Sequence, residues 1–507
     1  MSASANIPAN ITDPIREHAR ATPEAQAVIL HSGEAVSYAM LERAIDAVAA
    51  GLRDDGIRPG DTVCVRTPNG YQDLVARLAI ARLGAVIAPI SMAPAGLTAI
   101  LGAGEAPASK VRVIPLAKLW AERVVAASDQ AEFASHQDLD AVCAYFPTSG
   151  TTGRPRHTKV THRMFGQRIR SVGDARRLSS APREICSIGP ATSFGFRCRV
   201  NALWEGGTVV MVGSAEQTMV ALNAHRVNRL IMSPGTLQTL LQQLPADGAK
   251  PATLEEIETT GTLLPDGVYT QARDRLCARI IARYGSTEAS WVASAPAADL
   301  VGRQGAIGRA EPGVEVEAVG QDGRPVPAGT AGVMRIRSAN CVSGYHGDPE
   351  ASARVFREGW FYPGDEVVIA ADGMISIVGR TSDVINRAGN KISPQAVEEV
   401  LRTATGIADA AVFAMPSSSG ETRVWAAIVS ATPGVRPDVA RLREFCKERL
   451  KLHAPDFYLL VKAIPRNDMG KIQRQPLQAM AAKQIENWKS RQTGSGSGSG
   501  TGPKVIH

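Results

Sequence analysis

Aromatic residues make up only 5% of the 507-residue chain. That scarcity, with basic residues dispersed along the sequence, leaves no aromatic-interleaved Lys/Arg stripe of the kind nucleic acids need. The net charge of +7 is read instead as suited to phosphorylated small molecules. Cysteine is sparse too. Cys64, Cys143, Cys186, Cys198, Cys277, Cys341 and Cys446 are scattered, odd in number and without a C-x-x-C pair, which excludes a disulfide framework and a structural zinc site and suits a reducing compartment. Long hydrophobic runs are missing: the longest apolar stretch, Leu74 to Ile90, is broken by Arg77, Arg82 and Pro89, too charged to span a membrane. The first residues lack a basic segment followed by an apolar run, so no secretory signal is read and a cytoplasmic location is expected. A Walker A sequence is absent as well, which argues against the common NTPase and kinase folds.

What is present points to an α/β enzyme. Glycine (47) and proline (31) are plentiful against 44% hydrophobic and 21% charged residues, a loop-rich globular composition. Leu41, Ala44, Ile45, Val48 and Leu52 recur at helical spacing between a candidate N-cap, Ser37, and a stop at Gly56. A β-branched strand at 62–65, a helix at 73–83 ended by Gly84 and a strand at 85–90 follow. Such alternation means a parallel sheet, and it returns between Arg183 and Tyr284. From Gly313 the pattern changes: Asp322-Gly323 and Asp372-Gly373, each between alternating apolar runs, signal β-hairpins. After about Thr381 a small α+β unit is predicted, with helices at 394–403 and 437–450 and strands at 410–413 and 423–429. The expected architecture is α/β: a large N-terminal domain over 1–381 of parallel α/β sheets with an antiparallel β subdomain at about 305–380, and a small α+β C-terminal domain over 382–490. A flexible Gly/Ser tail occupies 491–507.

The chemistry concentrates in Phe146-Pro-Thr-Ser-Gly-Thr-Thr-Gly-Arg-Pro-Arg-His157. Thr148, Ser149, Thr151 and Thr152 supply hydroxyls, Gly150 and Gly153 let backbone N–H groups approach an anion closely, and Arg154 and Arg156 add charge. The chemistry reads as a pyrophosphate cradle, while composition alone favours a polar surface loop. With Thr161-His162 following in register, the segment resembles the phosphate loop of the acyl-adenylate-forming superfamily, whose members include acyl-CoA synthetases, luciferases and peptide-synthetase adenylation domains. Arg156 stands where that family usually has Lys, and His157 where it has Gly. Further segments match in the family's order. Tyr284-Gly-Ser-Thr-Glu288, which as a bare pattern is a tight turn before a helix, follows an apolar run at 278–281. Thr259-Thr-Gly261 takes the place of the adenine loop. Gly359-Trp-Phe-Tyr-Pro-Gly-Asp365, Gly379-Arg380-Thr-Ser382-Asp383 and Asn467-Asp-Met-Gly-Lys471 complete the set. The resemblance runs from about Asp13 to Trp488 and is most like a free-standing acyl-CoA synthetase.

The resemblance implies ATP, Mg2+ and coenzyme A as the chain's small-molecule partners, together with a carboxylic acid. It places Tyr284 on adenine, Thr287 on the α-phosphate, Glu288 on Mg2+, Asp365 and Arg380 on ribose, Ser382 at a hinge and Lys471 as the catalytic cation of a mobile lid. A lone Lys after a turn is ordinarily a solvated charge, and only this context reverses that reading. The stretch Gly189 to Phe196 carries no carboxylate for an ammonium group, which disfavours an α-amino acid. Thr192, Ser193, Phe194 and Phe196 are candidates for an acyl pocket suited to a medium-chain or aryl acid, and Arg197 and Arg199 are expected to face solvent rather than a second carboxylate. A separate carrier protein is the alternative acceptor to coenzyme A, and a catalytically weak nucleotide-binding sensor is a reading of another class.

Overall fold

The computed structural model describes residues 7–92, 96–102, 111–125, 132–148, 155–173, 178–245, 248–380, 385–387, 390–417, 421–432, 434–467 and 470–493. Of the candidate site residues, Ser149, Gly150, Thr151, Thr152, Gly153 and Ser382 lie outside them, as does the Gly/Ser tail from 494 onward. Packing divides the chain into two compact units, residues 1–316 with 335–363, and residues 317–334 with 364–507.

The first unit carries two sheets. In one, strands Arg112–Ile114, Ala99–Gly102, Thr62–Arg66, Val86–Ala88 and Val142–Thr148 run parallel in that order, and Arg156–Thr161 closes the end antiparallel. In the other, Gln26–Ile29, Thr208–Val210, Arg183–Cys186, Arg229–Met232, Glu256–Thr260 and Ile280–Ser286 are parallel, and Ser290–Pro296 then Ala306–Ala310 add antiparallel strands. Crossover helices cover the faces, the arrangement that alternating elements dictate. Helix Tyr38–Asp54 starts where Ser37 accepts from Met40 N. Helix Gly70–Leu83 begins three residues before the apolar pattern does, because Asn69 caps Tyr71 and Gln72 N, and Gly84 ends it in the left-handed region at φ +80. A cap of this kind contributes about 1 kcal/mol.

In the second unit the two Asp-Gly pairs sit at tight turns. Gly323 and Gly373 both have positive φ, with Val319 bridging Pro325 and Ile369 paired to Ile375. Strand Ile375–Arg380 packs against helix Pro394–Arg402. Part of the β-rich stretch expected with the N-terminal domain is therefore compact with the C-terminal residues. Strands Ile407–Pro416 and Thr422–Ser430 are antiparallel and Phe457–Leu460 joins parallel, with helices Val439–Leu450 and Arg474–Thr493 completing the α+β unit.

One buried titratable group ties the first unit together. His162 opens the helix His162–Gly173 and is fully buried, its Nδ1 accepting from Ile11 N at 3.1 Å. Burial pushes its pKa down to about 4, with His136 adding to the effect. A proton on Nδ1 would face the Ile11 N–H directly. The unfolded imidazole binds its proton near 6.5 and the folded one only near 4, so the stability this group provides is present above pH 6.5 and is lost as pH falls through that window, by about 3 kcal/mol in all. Denaturant melts at pH 7 and pH 4.5 test this: His162→Asn, whose Oδ1 can take the Ile11 N–H, should show the shallower decline.

Candidate active site

Strands Val142–Thr148 and Arg156–Thr161 form a hairpin in which Thr148 pairs with Arg156 and Pro147 with His157. Thr148 and Arg156 form the last described rung of this pair. The segment Tyr345 to Asp348 lies alongside. Tyr345 bridges Thr158, and His346 N donates to His157 O at 2.7 Å. The His346 ring stacks on Tyr145 at 4.4 Å, and His157 Nε2 is 3.1 Å from Ser91 Oγ. The guanidinium of Arg156 lies 5.4 Å over the Tyr345 ring, with its Nε 3.5 Å from Asp348 Oδ2.

Tyr284 to Glu288 is not the turn before a helix that its bare pattern suggests. Strand Ile280–Ser286 turns back at Thr287–Ala289 into the antiparallel strand Ser290–Pro296. Gly285 is required there, since a Cβ would come within 2.2 Å of Ser290 O. Ser290 itself is held at φ +63, a conformation costly for a residue with a Cβ and common at functional turns. This turn presents Glu288. Its side chain is buried, and Oε1 accepts from Tyr345 Oη at 2.9 Å. The carboxylate beside it, after burial, drives the Tyr345 hydroxyl well above the usual tyrosine range, so it stays a donor. Glu288 O accepts from Arg168 Nη2 at 3.2 Å and from Val342 N at 2.9 Å. Arg168 is wholly enclosed, and burial, then Arg197, lowers its pKa to about 10. Next to Ile280–Ser286, strand Glu256–Thr260 ends in register (Thr260 beside Arg283), and Gly261 follows at φ +97. Gly261 and half-buried Tyr284 thus share the carboxyl ends of neighbouring parallel strands, where α/β sheets bind ligands.

The stretch after Gly189 corrects two expectations. Arg197 does not face solvent: it is 5% exposed, donates to Ser290 Oγ at 2.8 Å and to Arg168 O at 3.1 Å, and lies 5.5 and 5.0 Å from the rings of Phe194 and Trp291. Arg199 donates to the carbonyls of Cys186, Ile188 and Gly195. Phe196 is fully buried between Phe146 and Phe165 and is core rather than pocket wall. Thr192 caps helix Ser193–Trp204 by accepting from Gly195 N, so Ser193 is its first residue. Phe194 is half-buried and meets Trp291 edge-on at 4.7 Å.

In the second unit, Asp365 and Arg380 face each other across strands Asp365–Ile369 and Ile375–Arg380, with Nε 2.7 Å from Oδ1 and Asp365 1% exposed. Lys471 sits on a tight reversal. Asn467 N donates to Lys471 O, Lys471 N donates to Asn467 Oδ1, both at 2.9 Å, and Gly470 turns at φ +76.

Sequence reading missed Tyr345, Asp348 and Arg168. Nothing in composition or spacing marks them, since each acts by touching a residue far along the chain. Among the described residues no three His, Cys, Asp or Glu side chains converge as a metal cage. A single buried carboxylate such as Glu288 fits Mg2+ well, because that ion keeps waters and is commonly shared between one or two carboxylates and substrate phosphates.

Comparison with known proteins follows the same lines. Residues 15–346 match the AMP-binding enzyme model and residues 396–471 the AMP-binding enzyme C-terminal domain. A feruloyl-CoA synthase from Amycolatopsis sp is 30% identical over 486 residues, covering 90% of this chain and 96% of that protein. The fatty acid–[acyl-carrier-protein] ligase MmaC of Mycobacterium marinum is 28% identical over 530 residues, 95% and 99% of the two chains. In fold, the o-succinylbenzoate CoA synthetase of Bacillus subtilis, solved with its acyl-adenylate intermediate, superposes with a TM-score of 0.80 over 92% of this chain and 97% of that one, at 22% identity. No helix among the described residues is long and apolar enough to cross a membrane. The chain belongs to the AMP-binding enzyme family, the AMP-forming acid–thiol ligases of the acyl-CoA ligase kind, which use ATP, Mg2+ and coenzyme A.

Proposed function

We propose that this chain converts an aryl or medium-chain carboxylic acid to its acyl-adenylate and then to the coenzyme A thioester. The observation that carries the reading is the convergence of Arg156, Tyr345 and Glu288 at the end of the hairpin that leads into the Thr-rich loop. A carboxylate resists attack by a thiol because its leaving group would be oxide. In the first step the acid's oxygen bonds to the α-phosphorus of ATP and the bond to the bridging oxygen breaks, releasing pyrophosphate. Arg156, Thr287 and Lys471 stabilise the charge on the phosphoryl oxygens. Mg2+ held by Glu288 would neutralise phosphate charge. Gly261 and Tyr284 are assigned to the adenine, and Asp365 and Arg380 to the ribose. In the second step the thiol sulfur attacks the acyl carbon and AMP leaves.

For the acid, the ring of Phe194 against Trp291 supports an aryl group, as does similarity to a feruloyl-CoA synthase. Similarity to a carrier-protein ligase over 99% of that protein supports a carrier-bound thiol as the second reading. Pyrophosphate release with a panel of aryl, medium-chain and α-amino acids, followed by coenzyme A and mass detection of the thioester, tests both. Release is expected with aryl or medium-chain acids, and a thioester mass only once coenzyme A is added. Silence toward every acid would remove the reading. Adenylate formation without a coenzyme A thioester, but with loading of a phosphopantetheinylated carrier, would move the acceptor.

A further inference from the structure

We infer that Tyr345 is a positioning residue whose hydroxyl sets the Glu288 carboxylate while its ring carries the Arg156 guanidinium, joining the metal-facing and phosphate-facing groups into a single unit. The inference rests on the reading of Glu288 as the Mg2+ ligand and Arg156 as a phosphate cation given above.

The tyrosine side chain is the natural joint, its hydroxyl and its ring meeting different partners. Its hydroxyl donates to Glu288 Oε1 at 2.9 Å, and the Arg156 guanidinium lies 5.4 Å over its ring. Hydrogen bonds to a charged acceptor are among the stronger ones a side chain makes. Taking one carboxylate oxygen fixes the plane of the group, and with it the direction in which the carboxylate meets a cation. Arg156, where the resembling family has Lys, offers a flat delocalised cation that can lie on a ring, which an ammonium does less well. Asp348 holds the other side of Arg156 while capping helix Pro349–Val355 through Ala351 N.

The ring owes its place to other contacts. Tyr345 N donates to Ser352 Oγ at 2.8 Å, the backbone bridges Thr158, and Phe356 packs edge-on at 5.6 Å. Removing the hydroxyl alone therefore leaves the ring seated, and Tyr345→Phe isolates its effect.

Calorimetric titration of ATP into the full chain, at stepped Mg2+ concentrations and in EDTA, tests the inference without turnover. The Mg2+ concentration that gives half of the metal-dependent tightening should rise about tenfold in Tyr345→Phe, while ATP affinity in EDTA changes by less than about twofold. In a Glu288→Gln background, adding Tyr345→Phe should cause no further shift. A wild-type Mg2+ curve in Tyr345→Phe would overturn the inference. Equal weakening with and without Mg2+ would also overturn it, since that is what a merely structural hydroxyl would do. Were the wild-type chain to bind ATP with no dependence on Mg2+, the reading of Glu288 itself would fail and the inference with it, a result distinct from either of the others.

Discussion

Lys471→Ala is expected to lose acyl-adenylate formation by about 100- to 1000-fold, the usual cost of one preorganised contact to a developing oxyanion, while still forming thioester from supplied acyl-AMP. The asymmetry follows from where charge develops. In the first half-reaction negative charge gathers on the α-phosphoryl oxygens, and a fixed ammonium stabilises it more in the transition state than in the ground state. In the second, charge builds on the acyl carbonyl oxygen and then passes to the departing AMP, and no bond to phosphorus is made or broken. The substitution should leave the fold alone, because the reversal that carries Lys471 is held by other groups. Arg466 bridges Ile472, donates to Gly470 O at 2.9 Å and pairs with Asp409 at 2.7 Å, and the two Asn467–Lys471 hydrogen bonds involve only the lysine backbone. Single-turnover pyrophosphate release and thioester formation from synthetic acyl-AMP, measured on one preparation, separate the halves. Equal loss in both would overturn the assigned role.

Much of the fold was legible because its signals are local. Ser37 before an apolar period, Gly84 after one, and Asp-Gly between alternating runs each state a backbone requirement that the structure meets at that residue. Motif residues could be placed in chain order for the same reason. What stayed hidden depends on long-range packing. Tyr345 meets Glu288 across 57 positions, and no period connects them. Arg197 reads as a solvated charge because helical spacing cannot reveal two neighbouring rings and a carbonyl ready to hold a guanidinium. Phe194 and Phe196 are indistinguishable by composition, yet one meets Trp291 and the other fills the core. The Tyr284 turn doubles back into a strand because Gly285 leaves room for Ser290 O, a steric fact visible only once the partner strand is in place.

Arg229→Leu should lower stability by about 3–5 kcal/mol, the range found when one partner is removed from a buried ionic cluster, a large part of the 5–15 kcal/mol that holds a typical domain. Arg229 lies on the middle of three parallel strands, with Glu184 beside it on one neighbour and Glu256 on the other. Its guanidinium reaches Glu184 Oε2 at 2.9 Å, Glu256 Oε1 at 3.0 Å and Glu258 Oε2 at 2.5 Å, all with side chains at most 3% exposed. Arg279 and Arg283 supply further charge, to Glu256 at 3.0 Å and Glu258 at 3.1 Å. Leucine would fill part of the volume but leave carboxylates buried beyond what two remaining cations can balance. Arg229→Lys keeps a charge but cannot fork to three acceptors, so it should fall between wild type and Leu. The leucine variant's deficit should shrink as pH is lowered, because a protonated carboxyl is far less costly to bury than a carboxylate. Denaturant midpoints at pH 7.5 and pH 5.5 measure both effects, and a Leu variant within about 1 kcal/mol of wild type at pH 7.5 would remove the argument. The consequence reaches the site: Glu258 holds Arg283, the residue before Tyr284, so loosening this cluster loosens the strand end on which the nucleotide-facing turn is built.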